Sequence, residues 1–530
     1  MSKSWRTLVF DGQLWQNVDL RAFPAASSSF LASLVELSGP FIKNLDLSGH
    51  TYLSPTTLID MTGGLCVRFA PVLNTQLTAI TLQGCTALTT QSLHSLLIQS
   101  PSLRSLNVKG LQAVTNTTFG VLVFCSHLTS LNMSRCVNID GDGVCAFGAA
   151  VIARGARLAL KELWLCGLSM VDDNMLATLG KAAPHLEVLD LSYCRSLHNS
   201  ALEAFVACDE DDEKAFGETL SLTSRQAGRD PRDSRRYVRR VTALRHLSLS
   251  NCIMLTDTAC SNLAYSVPRL EFLELAGIGQ TLKDDGLVRL LDTTPFIRKL
   301  DLEDASDITD AVLEVLTPEP AIEEGSTSSK KPEPPQPGHA LEHLTVSGAT
   351  NLSNDAFRAL VRGCPKLRVL EADSTSISGT VLKDFVRQVC ERGINDAELV
   401  VVDCRSVGER AVKDVVVNTR PRKGWRSWEA RKLGYLDGKD GEDLKVGQDE
   451  CDEKRVVIKS FYSWQTVDAV RHMRERKKKA NRKSQSASEQ VSEPEDGGKL
   501  PKMRWWGSSR ISSGNNTPGE DSDRDGCVVM

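Results

Sequence analysis

The residues best placed for covalent chemistry stand at the end of the chain, where Cys527 is followed by Val528, Val529 and Met530. A cysteine, two aliphatic residues and a final methionine form the pattern on which a thiol is prenylated, and methionine in last place favours farnesyl. One isoprenoid binds membranes reversibly, so a second signal is expected. Residues 471–483, RHMRERKKKANRK, supply eight lysines and arginines. Arg474, Arg476, Lys477, Lys478 and Lys479 are their densest part, each contributing about 1 kcal/mol beside an anionic leaflet. The same run also reads as a solvated helix end or a nuclear import signal. Trp505 and Trp506 suit a membrane interface.

Other reactive types are present without the spacing that chemistry needs. The fifteen cysteines include no C-x-x-C pair with metal spacing, and many recur at one repeat position. They read as small buried thiols filling a turn in a chain routed to a reducing compartment. Histidines are few and scattered, no glycine-rich phosphate loop precedes a helix, and no nucleophile elbow is found. The chain therefore reads as a non-catalytic binding protein with no cofactor and no metal. A net charge of -4, with 25% charged and 41% hydrophobic residues, gives no global pull toward nucleic acid. No apolar run is long enough to span a membrane, and the start lacks a signal-peptide pattern, so a cytoplasmic chain is expected.

The elements that carry these residues follow from a repeat. Residues 185–194 read HLEVLDLSYC, and the pattern L-x-x-L-x-L-x-x-C returns at 77–85, 128–136 and 244–252, with looser copies between them and on to Cys404. The last core position runs Leu82, Val108, Met133, Leu165, Leu191, Leu249, Leu275, Leu302, Val346, Ala372 and Val401, most often roughly 26 residues apart, within the leucine-rich-repeat range. Leucines two apart face one side of a short strand, and the residues between them face the other. A helix-spaced segment follows each strand, as in Ala201, Leu202, Phe205 and Val206. No single unit can bury its apolar face, so neighbours must stack. The fold class expected is α/β: a leucine-rich-repeat solenoid, a ribonuclease-inhibitor-like horseshoe with strands on the concave side, terminal caps and a disordered C-terminal tail.

The same phase names a binding face. With the leucines inward, Trp164 and Asp190, then Phe272 and Glu274, Asp301 and Glu303, and Glu371 and Asp373 point to the concave side. The second half of the groove is thus expected to be acidic with an aromatic at its edge, suited to a protein substrate carrying a basic segment. The plain alternative is that strand exteriors of any solenoid are polar and need no partner. Two segments break the period. Residues 208–240 start acidic and end strongly basic without apolar periodicity, which predicts a mobile loop. Residues 317–339, rich in Pro, Glu, Ser and Lys, predict a disordered linker.

At the start, residues 5–20, WRTLVFDGQLWQNVDL, carry Trp5, Leu8, Asp11, Gly12, Leu14, Trp15, Val18 and Leu20 at spacings that resemble the second half of an F-box. The alternative is a plain cap, since exposed solenoid ends need covering. This partial F-box, the cysteine-containing repeats and the C-terminal prenylation pattern together resemble the leucine-rich-repeat F-box proteins, including lipid-anchored members. The resemblance implies a substrate receptor of a cullin-RING ubiquitin ligase, with an F-box adaptor docked through Trp5, Leu8, Leu14 and Trp15, a cullin scaffold beyond it, and the catalytic groups on partners. It implies residence on the cytosolic face of a membrane; the basic run admits the nucleus. The division expected is 1–20, F-box-like cap; 21–404, solenoid; 405–483, C-terminal cap and basic helix, with Trp425, Trp428, Val457, Ile458 and Phe461 among its core formers; 484–530, disordered tail. The competing class is a membrane-tethered repeat scaffold without adaptor docking.

Overall fold

Three-residue strands recur wherever the leucine pattern does, because the middle residue of each is a core leucine or its equivalent and its two neighbours must then face outward. The computed structural model describes residues 12–67, 73–208, 218–319, 335–420 and 453–460. In chain order the strands are β1 (Asn17–Asp19), β2 (Asn44–Asp46), β3 (Ala79–Thr81), β4 (Ser105–Asn107), β5 (Ser130–Asn132), β6 (Glu162–Trp164), β7 (Val188–Asp190), β8 (Thr219–Thr223), β9 (Arg236–Arg240), β10 (His246–Ser248), β11 (Phe272–Glu274), β12 (Lys299–Asp301), β13 (His343–Thr345), β14 (Val369–Glu371), β15 (Glu398–Val401), β16 (Thr419–Arg420) and β17 (Val456–Ser460). All except β8 and β9 join one parallel sheet in the order β1 to β7, β10 to β15, β17, β16. The chain is a leucine-rich-repeat solenoid of the α/β class.

Register is uniform. Leu189 of β7 lies opposite Leu163 and Leu247, and Leu273 of β11 opposite Leu247 and Leu300, so the buried row runs unbroken from repeat to repeat. Helices follow the strands and pack side by side on the other face, each contributing apolar residues to the same core, such as Leu176 and Leu179 or Leu287 and Leu290. Many start on a capping side chain: Ser54, Thr89, Asp140, Asp172 and Ser353 each accept an N–H from the first turn.

The turn after each strand explains the cysteines. In the strict copies, the thiol donates to the carbonyl of the last core residue one repeat earlier: Cys85 to Leu47 at 3.1 Å, Cys136 to Val108 at 3.2 Å, Cys194 to Leu165 at 3.7 Å and Cys252 to Leu191 at 3.1 Å; Cys404 of the looser copy does the same to Ala372 at 3.0 Å. These thiols are buried, as expected, and burial pushes Cys85 and Cys252 up to about 12. The residue just before this position takes the left-handed conformation, which Gly84, Gly110, Gly167, Gly277 and Gly348 adopt without strain; Arg135, Tyr193, Asn251, Asp304 and Ser374 adopt it with φ between 54° and 65°.

The first insertion departs from expectation. Within 208–240, β8 and β9 form an antiparallel hairpin instead of a mobile loop. Arg239 is 2% exposed and donates to Ser261 O at 3.1 Å and Ala264 O at 3.4 Å, at the C-terminal end of the helix Asp257–Leu263. A guanidinium there satisfies carbonyls the helix leaves open and sits at the favourable end of its dipole. Arg229 pairs with Glu203, and Ala227 and Leu222 are buried. Polar and charged groups hold the hairpin down, which is why apolar periodicity gave no sign of it.

At the ends, Trp15 packs against the core and Leu14 is 61% exposed. At the other end, buried Val456, Val457 and Ile458 form β17, which pairs with β15 and so extends the sheet past Cys404. Trp5, Leu8, residues 320–334, Trp425, Trp428, Phe461, the basic run with Arg474, Arg476, Lys477, Lys478 and Lys479, the tail and Cys527 lie outside the described residues.

Candidate functional site

The outward row at the end of each strand begins with a structural role. Asp46, Asn107, Asn132, Asp190 and Asp301 each accept the N–H two residues on, at 2.9, 3.2, 3.1, 2.9 and 3.2 Å. This side-chain turn is a local reason for Asp or Asn at that place. Asp190 and Asp301 both serve the turn in this way, and Asp301 lies next to Glu303 in the acidic second half.

Register brings the predicted residues into rows. Trp164 lies opposite Asp190, then come Ser248, Glu274, Asp301, Thr345 and Glu371. Phe272 belongs to the row before, half-buried between the His246 ring, at 5.7 Å between centroids, and the Arg298 guanidinium, at 5.8 Å. Glu274 is not a free acid. Lys299 donates to it at 2.7 Å and Ser248 at 2.9 Å, and His246 stands 3.9 Å away. The His246 side chain is the largest influence holding its carboxyl well below the usual range, against the opposing effect of burial; at 3.9 Å it acts as a nearby dipole or charge, and Lys299 is the contact partner. Glu371 is likewise lowered, first by His343, whose ring nitrogen is 2.9 Å from it.

The acidic half of the groove is therefore narrower than the sequence suggested. What remains is Asp301, Glu303 and Asp373. All three carboxyls are pushed upward, first by burial and then by neighbouring carboxylates: Glu274 and Glu371 at Asp301, where Lys299 opposes them; Asp301, Asp304, Glu371 and Asp373 at Glu303; and Glu371 and Asp403 at Asp373, where Lys459 opposes them. Among the described residues none of the three has an ion-pair partner. Negative charges that raise one another's proton affinity form a local field that an incoming cation relieves.

A second feature was missed. The residue just before each strand alternates in sign along the sheet: Lys161, Glu187, Arg245, Glu271, Arg298, Glu342 and Arg368. Lys161 meets Glu187 at 2.9 Å, Arg245 meets Glu187 at 3.9 Å and Glu271 at 3.1 Å, and Arg298 meets Glu271 at 3.6 Å and Glu342 at 2.8 Å. The signal was the position after the first leucine of each copy. This ladder neutralises the leading edge of the sheet and leaves the trailing edge to set the field. Away from the sheet, a groove of about 690 Å³ between helices is lined by Thr90, His94, Ile98 and Thr117 and holds none of the predicted residues.

Fold and site define a repeat solenoid with an open sheet face suited to holding another chain. The Leucine Rich repeat family matches residues 124–148 and 182–206. F-box/LRR-repeat protein 4 of Bos taurus is 25% identical over 166 residues, 31% of this chain; the chain spans 24% of that relative's length. Among solved structures, the Rad7 and Elc1 complex in yeast is 20% identical with a TM-score of 0.43, covering 77% of this chain and 92% of that one.

Proposed function

We propose that this chain is the substrate-recognition subunit of a cullin-RING ubiquitin ligase of the F-box type, and that it holds a protein substrate by a basic segment laid across β12 to β14. The observation that carries the binding half is the group Asp301, Glu303 and Asp373, half-buried or exposed, raised by burial and by neighbouring carboxylates and, among the described residues, in no ion pair. Likeness to an F-box/LRR-repeat protein supports the ligase half. In this reading the chain contributes no catalysis, Leu14 is open to an adaptor, and farnesyl on Cys527 with the basic run from Arg474 to Lys479 holds the assembly on the cytosolic face of a membrane.

The test is affinity purification of the chain, tagged at its N-terminus or within 317–339 so that Cys527 stays free, with mass spectrometry for adaptor and cullin. Stoichiometric recovery supports the ligase reading. The substrate half is tested by Asp301→Lys with Asp373→Lys: a captured partner that stays bound at unchanged affinity sinks the acidic-groove assignment. A second reading, a membrane-tethered scaffold without adaptor docking, is favoured by Trp15, which packs on the core as a cap would. Recovery of partners without adaptor or cullin would select it.

A further inference from the structure

The turns after β5, β6, β7 and β10 at the trailing edge of the sheet each expose a large apolar side chain, and with the turn after β4 they form one run of five. They are joined by backbone hydrogen bonds: Gly110 N–H to Ser134 O, Arg135 to Cys166 O, Gly167 to Ser192 O and Tyr193 to Ser250 O, at 2.7 to 2.9 Å. Equivalent positions therefore stand side by side. On this rim Val137 is 76% exposed, Met170 60%, Tyr193 50%, Ile253 57% and Met254 47%. The matching positions after β11 to β13 are Gly279 and Gln280, Ser306 and Asp307, and Thr350 and Asn351. Earlier, Tyr52 at 88% exposure holds a matching place after β2, but the turns after β3 and β4 separate it from this group, whose apolar row the repeat itself does not explain. Trp164, half-buried at the end of β6, borders it.

Two further observations say what covers it. The turns 109–113, 134–138, 166–170, 192–196 and 250–254 contain Lys109, Arg135 and Arg195 and no Asp or Glu. None of the three cations has an ion-pair partner among the described residues, in contrast to the paired ladder on the opposite edge. Tyr193 also keeps a large side chain at φ 61°, at the turn position where the preceding repeat has Gly167, and Met170, three residues past Gly167, stands at φ 53°; both stay exposed, so packing within the chain does not compensate that strain.

We propose that this rim is a second docking surface, separate from the acidic patch, for a partner segment that combines large apolar side chains with carboxylates. Its apolar residues cover Met170, Tyr193 and Ile253, and its acids meet Arg135 and Arg195.

The experiment is selection of a displayed random peptide library on the full chain at physiological salt. The expected result is enrichment of sequences carrying at least two large apolar residues and an acid, whose affinity for Met170→Asp with Ile253→Asp falls by about tenfold or more, and for Arg135→Glu with Arg195→Glu by several-fold. Asp301→Lys leaves these peptides bound, which separates the rim from the acidic groove. Absence of enrichment, enrichment of lysine- and arginine-rich peptides, or equal binding by the rim variants overturns the proposal. Self-association in sedimentation that Met170→Asp abolishes would make a second copy the occupant, and overturns it as well.

Discussion

A carboxyl on this sheet titrates according to which neighbour reaches it. Glu274 and Glu371 have folded values below their unfolded ones, so the stabilisation they provide is complete above the ordinary glutamate range, about 4.3, and is lost as pH falls through their folded values. Asp301, Glu303 and Asp373 are displaced the other way, chiefly by burial, so the folded chain takes up protons first and the cost of keeping their charges out of water is relieved as pH drops from neutral. Thermal melting is thus expected to rise slightly from pH 7 toward pH 5 and to fall at lower pH; a monotonic decline would count against these assignments. Affinity for a basic segment should weaken over the same mildly acidic range, measurable by titration calorimetry at stepped pH. The thiols give another expectation. Burial raises the proton affinity of Cys85, Cys194, Cys252 and Cys390 alike, but of these only Cys390 is exposed, so a thiol reagent should label Cys390 in the native chain, half-exposed Cys145 and Cys166 more slowly, and Cys85, Cys194 and Cys252 only after unfolding. Sequence periodicity placed the outward residues on the right face because register follows from alternation. It did not reveal that Asp190 serves its own turn or that Lys299 and His343 quench Glu274 and Glu371, since those contacts join residues on different strands or at different places in the turn.

Strands and helices of the repeats were legible because a buried leucine every second residue admits one arrangement. The hairpin of β8 and β9 was not, since arginine ordinarily marks solvent and here Arg239 caps a helix. Arg239→Ala leaves those carbonyls buried without a donor, and a loss of about 3 kcal/mol is expected in denaturant unfolding. Arg239→Lys, with a different donor geometry, should recover part of it. The left-handed turns offer the opposite change. Tyr193→Gly removes strain at φ 61° and is expected to raise stability by about 0.5 to 1 kcal/mol by thermal melting, at the expense of the rim surface.

Among the described residues, strands and helices of the sheet pack mainly on those of neighbouring repeats, so stability is close to a sum of units and interfaces. The alternating charges before the strands belong to this scale. Glu271 meets both Arg245 and Arg298, and Glu271→Lys turns two attractions into repulsions. Because these groups are partly exposed, roughly 1 kcal/mol is expected, shrinking as salt is raised from 50 mM to 1 M, which melting at both ionic strengths would measure. The alternation is visible in the sequence once the copies are aligned, but its pairing across β7 and β10 depends on the sheet closing over the insertion. The order β15, β17, β16 also sets a schedule for synthesis. Thr419 and Arg420 emerge from the ribosome before Val456–Ser460, yet among the described residues their strand partner is that later segment, and β15 gains its outer neighbour from it too. Until residue 460 has left the exit tunnel, β15 is the edge of the growing sheet, and an edge strand is the form most prone to join another chain. A translational pause placed just upstream of that point would prolong this exposure while leaving the finished protein unchanged.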